Sequence, residues 1–209
     1  MPPHPSVKNL IFDLGGVILD LSVDHTLQAF STVSGLEKSV VKERFFSSGG
    51  FEEYEKGQLT DAEFRDFVRE VYSVKVSDPI IDQCWNAMLR GIPSVKLDLL
   101  DQLRSSYQVY LLSNTNNIHL QYIQTKIMPS LSGDKSLDDY FHRAYYSHLM
   151  KKRKPEAEIF EHVLEENGLK ANESLFIDDN EANIEGAKAL GIKTLHVPTP
   201  DLILTYFHA

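Results

Sequence analysis

The sequence predicts an α/β protein, a doubly wound parallel sheet with a small helical cap domain inserted after the first strand. Three observations carry that expectation. Four short runs, 7–12 (VKNLIF), 107–112 (YQVYLL), 174–177 (SLFI) and 192–197 (IKTLHV), are apolar and rich in β-branched or aromatic residues. Such continuous runs suit strands buried on both faces of a sheet. Helical patterns alternate with them in the second half of the chain, which calls for parallel strands joined by right-handed crossovers. Residues 22–92 break the alternation and hold only helical signals.

Taken in order, the run at 7–12 gives the first strand, which stops on Asp13 before Gly15 and Gly16. The stretches DHTLQAFSTVSG, SVVKERFFSSGG, TDAEFRDFVREVY and DPIIDQCWNAMLRG then read as helices of the insert. Thr60 and Glu63 have the spacing of a capping box, which fixes one helix start. The aromatics Phe45, Phe46, Phe51, Tyr54, Phe64 and Phe67 are expected to fill the core of this insert, with room for one or two of them to face the cleft. Helices are predicted over 94–106, 155–168 and 180–191, the last two ending in Gly as helix C-termini often do. The expected division is 1–21 with 93–209 as the α/β core, and 22–92 as the helical cap.

Composition narrows the function classes. A length of 209 residues allows one sizeable core with a smaller lobe. The formal net charge of -9 argues against nucleic acid or an anionic membrane surface as the main partner, because both need a basic face. The one dense basic run is Lys151 to Lys154. The lone Cys84 lies in a helical pattern beside Trp85 and reads as a reduced, buried thiol. The opening MPPHPSVKNL lacks a basic start followed by an apolar run, and no stretch is long enough to span a membrane, so a cytoplasmic protein is expected. His25, His119, His142, His148 and His162 show no metal-ligand spacing.

Three predicted strands stop on polar residues: LIFD at Asp13, YLLSN at Ser113 and Asn114, LFIDD at Asp178 and Asp179. Ligands of open parallel sheets bind at the carboxyl ends of the strands, where residues distant in sequence meet. Clustered carboxylates repel one another unless a cation sits among them, and a hard-oxygen set suits Mg²⁺. A carboxylate in such a site can attack phosphorus and form an aspartyl phosphate. Ser113 and Asn114 would then hold phosphoryl oxygens, Lys154 would neutralise the developing charge, and Gly15 and Gly16 would let the backbone approach the anion.

These segments resemble the haloacid dehalogenase superfamily: FDLGGVILD its first motif, LLSNTN its second, RKPEAEIF its third and FIDDNEANIEGAKALGIKTLHV its fourth. The resemblance covers the whole chain and places the insert where that family carries a cap on its Rossmann-like core. DLG, LSNTN and RKPEA are most similar to a bacterial subgroup of sugar-phosphate phosphatases acting on α-D-glucose 1-phosphate. The resemblance implies Asp13 as nucleophile and Mg²⁺ ligand, the Gly15 carbonyl as a second ligand and Asp179 as a third. It implies that Asp178 acts through a metal-bound water, that Ser113 and Asn114 bind phosphate, that Lys154 bridges phosphate and nucleophile, and that Asn183 orients the metal site.

Gly15 is the departure. Most phosphatases of that family carry an aspartate there, which protonates the leaving oxygen and then activates water. Two explanations stand open: a leaving group acidic enough to need no help, such as a sugar hemiacetal, or a carboxylate supplied by Asp20 or Asp24. A phosphorylated small molecule is the expected partner. The rival readings are a metal-independent dehalogenase, against which the Asp178–Asp179 pair speaks, and a weakly active phosphosugar-binding protein.

Overall fold

A computed structural model describes residues 6–208; residues 1–5, on which part of the leader reading rests, and residue 209 lie outside the described residues. Strand β1 (Asn9–Phe12) lies in the middle of the sheet. A tight turn follows, in which Leu14 O accepts from Ile18 N and Leu19 N while Gly16 N donates to Leu19 O. The chain then enters the helical insert through the short strand β2 (Asp20–Leu21). The insert consists of α1 (Val23–Ser34), α2 (Lys38–Ser47), α3 (Gly50–Glu55), α4 (Asp61–Tyr72) and α5 (Asp78–Asn86). It returns through β3 (Leu89–Gly91), which pairs antiparallel with β2. The α/β part continues with α6 (Ser94–Leu103), β4 (Gln108–Ser113), α7 (Asn117–Tyr122), a π-helical turn (Ile123–Ile127), α8 (Met128–Ser132), β5 (Arg143–Tyr146) and α9 (Ser147–Met150). It ends with α10 (Ala157–Glu166), β6 (Ser174–Asp178), α11 (Glu181–Ala189), β7 (Lys193–His196) and α12 (Leu202–His208).

All five main strands are parallel, in the order β5-β4-β1-β6-β7. From β1 the chain moves outward to β4 and β5, then crosses back to β6 on the other side of β1. The carboxyl ends of β4, β1 and β6 therefore flank the reversal, which is where an open parallel sheet binds ligands. The period of two along each strand divides the core. Leu10, Phe12, Val109, Leu111, Leu175 and Ile177 pack toward α6, α12 and the insert, while Ile11, Tyr110, Leu112 and Phe176 pack toward α10 and α11. Both faces are covered, which is why the strands read as unbroken apolar runs.

The insert has an aromatic interior. Tyr54 and Phe64 stack with ring centroids 4.0 Å apart, and Trp85 stacks on His119 of α7 at 4.6 Å, carrying the packing across the seam into the sheet domain. Thr60 and Glu63 form the full capping box at the start of α4. Phe46 is the one of the six that stays 68 % exposed rather than joining that interior. Cys84 is buried and unpaired. No helix among the described residues is long and apolar enough to cross a membrane.

The sequence reading missed β5, α3, the β2–β3 ribbon, the helical stretch from α7 to α8, and the helices α9 and α12. The strands among these, with α3 and α9, are six residues or fewer. Such short segments carry too few residues to show a period, and they form because neighbouring strands or helices supply the partners.

Candidate active site

The site is built at the ends of β1, β4 and β6. Asp13 follows β1, held there by its N–H, which donates to Ile177 O at 2.8 Å. Ser113 and Asp178 are the last residues of β4 and β6. Lys154, on the loop before α10, is only 1 % exposed and puts its ammonium between two carboxylates, 2.7 Å from Asp13 Oδ1 and 2.7 Å from Asp178 Oδ2. A buried cation paired twice in this way stays charged, and its two partners raise its pKa against the desolvation that lowers it.

Asp178 is saturated by protein donors. Its Oδ1 accepts from Asn180 N at 2.8 Å, and Asn183 Nδ2 lies 3.1 Å from both oxygens. Asn180, not either aspartate, caps α11 by accepting from Ala182 N and Asn183 N. Both aspartates are thereby left for the site rather than consumed by the helix start. Asp179 projects to the open side, where burial and the neighbouring Asp178 charge raise its carboxyl above the ordinary range. Burial pushes Asp13 up to about 7, with Lys154 opposing and Asp178 adding to the rise.

Oxygen atoms of Asp13, Asp178 and Asp179 all lie within 4.8 Å of one another. An all-carboxylate set of this kind fits a hard divalent cation such as Mg²⁺. Gly16 gives an independent sign that Asp179 needs room. Its φ is +73°, and a Cβ there would lie 2.3 Å from Asp179 Oδ2. Gly16→Ala is accordingly expected to strain the backbone by about 1–2 kcal/mol. By displacing a carboxylate it should also weaken Mg²⁺ binding roughly 10- to 100-fold. Thermal melting and calorimetric titration measure the two effects.

Ser113 and Asn114 meet the same centre with different freedom. The Ser113 hydroxyl is buried, and its nearest protein acceptor, Asn114 O, is at 3.5 Å, so its hydrogen is available to a ligand. The Asn114 side chain is engaged instead: Nδ2 donates to Lys154 O and Oδ1 accepts from Lys154 N, each at 2.9 Å. That reciprocal clamp positions the lysine, leaving the Asn114 backbone N–H as its direct means of binding an anion. At Gly15 a Cβ would meet Leu21 Cδ1 at 2.4 Å, so Leu21 fills the space a side chain there would enter.

The two carboxylates considered as substitutes for Gly15 are occupied elsewhere. Asp20 Oδ1 is 2.9 Å from the fully buried Lys96 Nζ, and Asp24 pairs with Lys38 on the surface, which holds its carboxyl below the ordinary range. Sequence reasoning missed Glu55 and Arg153. Arg153 Nη2 lies 3.0 Å from Glu55 Oε2, and its Nη1 is 3.4 Å from Glu52, so α3 is tied to the residue just before Lys154. Glu55 sits in a charged stretch, FEEYEK, that carries no signal beyond a solvated helix face.

Fold and site together define a Rossmann-like sheet protein with a lysine-bridged carboxylate centre at the end of its central strand. Residues 7–191 match the haloacid dehalogenase-like hydrolase family, and the chain belongs to it. It is 33 % identical to a D-ribitol-5-phosphate phosphatase of Bacteroides thetaiotaomicron over 90 % of each chain. A solved haloacid dehalogenase family enzyme of the same organism, in complex with magnesium and inorganic phosphate, superposes with a TM-score of 0.83 at 43 % identity, covering 91 % of this chain and 93 % of that one. A HAD-like hydrolase structure from Porphyromonas gingivalis also reaches 0.83, at 30 % identity over 91 % of each chain.

Proposed function

We propose that this protein is a Mg²⁺-dependent phosphatase that transfers the phosphoryl group of a small sugar or polyol phosphate to Asp13 and then to water. The observation that carries the reading is the Asp13–Lys154–Asp178 bridge with Asp179 beside it, assembled from the ends of β1 and β6. The similarity to a ribitol-phosphate phosphatase and to a magnesium- and phosphate-bound enzyme supports it. We take residues 22–92 as the cap and 1–21 with 93–209 as the core, with the β2–β3 ribbon at the seam, and place the protein in the cytoplasm.

In this reading Asp13 Oδ attacks phosphorus and the alcohol departs. Lys154 holds the nucleophile in place and faces the charge that spreads over the phosphoryl oxygens. The Ser113 hydroxyl and the Asn114 backbone N–H bind those oxygens, while Asn114 fixes Lys154 from behind. Asp13, the Gly15 carbonyl and Asp179 would hold Mg²⁺, with Asp178 placed to order its water shell and Asn183 to orient Asp178. Bound there, the ion supplies Lewis-acid stabilisation of the phosphoryl group and offsets the repulsion among the carboxylates. A cavity of about 350 Å³ between α2, α3 and Arg153 has room for a small polyol and lines it with Ser47, Ser48, Glu52 and aromatic faces. Glucose 1-phosphate and ribitol 5-phosphate are the two substrates to compare first.

A phosphate-release screen over sugar and polyol phosphates, with and without Mg²⁺, tests the reading; release that is indifferent to Mg²⁺, or absent from every ester, refutes it. Metal binding gives a second check. Asp179→Ala is expected to weaken Mg²⁺ more than Asp178→Ala, since Asp179 points to the open side while Asp178 is saturated by protein donors. The pH dependence follows from Asp13. Its folded carboxyl, raised to about 7, holds a proton that the unfolded chain has already released above about 4. In metal-free protein this group therefore lowers stability as pH rises through that window. Mg²⁺ must displace the proton, so the rise in melting temperature on adding Mg²⁺ is expected to be larger at pH 8 than at pH 5.5.

A further inference from the structure

A carboxylate of the cap lines the same cavity as Gly15. Beneath the β1 turn lies a cavity of about 80 Å³ whose lining includes Gly15, Leu21, Ser113, Asn114, His119 and Glu55. A larger cavity of about 350 Å³ has Ser47, Glu52, Trp85, Arg153 and again Glu55 in its wall. Glu55 is the single residue common to the two linings. One cavity holds the phosphate-binding side of the site and the other has room for the sugar, so the bond to be broken would lie where they adjoin.

We propose that Glu55 is the general acid and base of this enzyme, delivered by α3 of the cap to the oxygen that joins the phosphoryl group to the sugar. The proposal rests on the phosphatase reading above. In the first step Asp13 Oδ forms a bond to phosphorus, the bond to the sugar oxygen breaks with its electron pair going to that oxygen, and Glu55 gives the oxygen its proton. In the second step water attacks the aspartyl phosphate, Glu55 takes the proton, and Asp13 and inorganic phosphate are released. Each step balances without another reactant.

Other nearby candidates are poorly suited. His119 lines the smaller cavity, but burial pushes it down to about 4, so at neutral pH its ring has no ionisable proton to give. Asp20 and Asp24 are held by Lys96 and Lys38. Glu55 is fixed in place by Arg153 at 3.0 Å, and its carbonyl accepts from Ser147 Oγ at 2.6 Å. Burial raises its carboxyl above the ordinary range despite Arg153 and the more distant Lys154, with Glu52 adding to the rise. A carboxyl held above its ordinary range beside Gly15's cavity is the group of these best placed to give a proton and take one back.

The test compares kcat/KM for ribitol 5-phosphate, which has a poor alkoxide leaving group, with that for p-nitrophenyl phosphate, which has a good one. Only the steps up to loss of the alcohol enter kcat/KM, so the shared hydrolysis of the intermediate cancels from the ratio. General-acid catalysis contributes about 10²- to 10⁴-fold when the leaving oxygen is poor. Glu55→Gln keeps an oxygen for Arg153 but has no acidic proton. It should lose at least about 10²-fold more on the ribitol ester than on the aryl ester. Equal losses on both esters would make Glu55 a structural tie for Arg153 and overturn the proposal. Parent enzyme alone gives a check that does not depend on the variant's folding. Across alkyl and aryl phosphates its kcat/KM should vary little with leaving-group acidity, and a parent that works only on acidic leaving groups overturns the proposal while sparing the phosphatase reading. A parent that hydrolyses neither ester in the presence of Mg²⁺ removes both.

Discussion

Asp13→Asn is expected to lower phosphate release by more than about 10³-fold while leaving the protein folded. The amide has nearly the shape of the carboxylate, and its oxygen can still accept from Lys154, which lies 2.7 Å from Asp13 Oδ1. It has no anionic oxygen with which to attack phosphorus. Burial already pushes the Asp13 carboxyl up to about 7, so a neutral group at this place costs the fold little. Circular dichroism and melting should therefore match the parent closely while activity disappears. Substantial remaining activity in a preparation free of parent enzyme would take Asp13 out of the mechanism.

Lys154→Met is expected to damage both stability and catalysis. The ammonium is fully buried between Asp13 and Asp178, with no exposed surface on the Lys154 or Asp178 side chains. Removing one member of a buried ionic cluster leaves uncompensated charge, at a cost of about 3–5 kcal/mol. Urea unfolding measures this loss. It should be smaller at pH 5 than at pH 8, because the two carboxylates can take up protons once the lysine is gone, and protons are scarcer at the higher pH. Mg²⁺ should restore part of the stability by returning positive charge to the cluster. A variant as stable as the parent at pH 8 without Mg²⁺ would show that the cluster is not energetically coupled as the geometry indicates.

The sheet was legible because its strands are buried on both faces. Continuous apolar runs such as LIF and LFI can be read locally, and the polar residues that end them, Asp13, Ser113 and Asp178, stand out against that background. The helices of the insert were legible from periodicity and from the Thr60–Glu63 cap. The edge strand β5 was not, because only part of its length is buried and its strand state depends on pairing with β4.

Within the site, sequence alone brought forward Asp13, Ser113, Asn114, Lys154, Asp178 and Asp179, each beside a strand end or helix start in a recognisable motif. What those residues do to one another depended on tertiary structure. The Asn114 amide turns toward the Lys154 main chain, Asn180 takes the helix cap in place of either aspartate, and Asp20 is drawn to Lys96. These are choices among hydrogen-bond partners far apart in the chain, and local pattern holds no information about them. The same reason hid Glu55. A glutamate on a short charged helix resembles any solvated one, and only the packing of the cap against the core, with Arg153 reaching across, leaves it half-buried in the cavity that Gly15 also lines. The sequence by itself determined the sheet, the insert and the chemical types at the strand ends, because burial periodicity is written locally. The tertiary structure decided which carboxylates are paired, which are saturated by protein donors and which face the open side, because those depend on distances between segments separated by as many as about 165 residues.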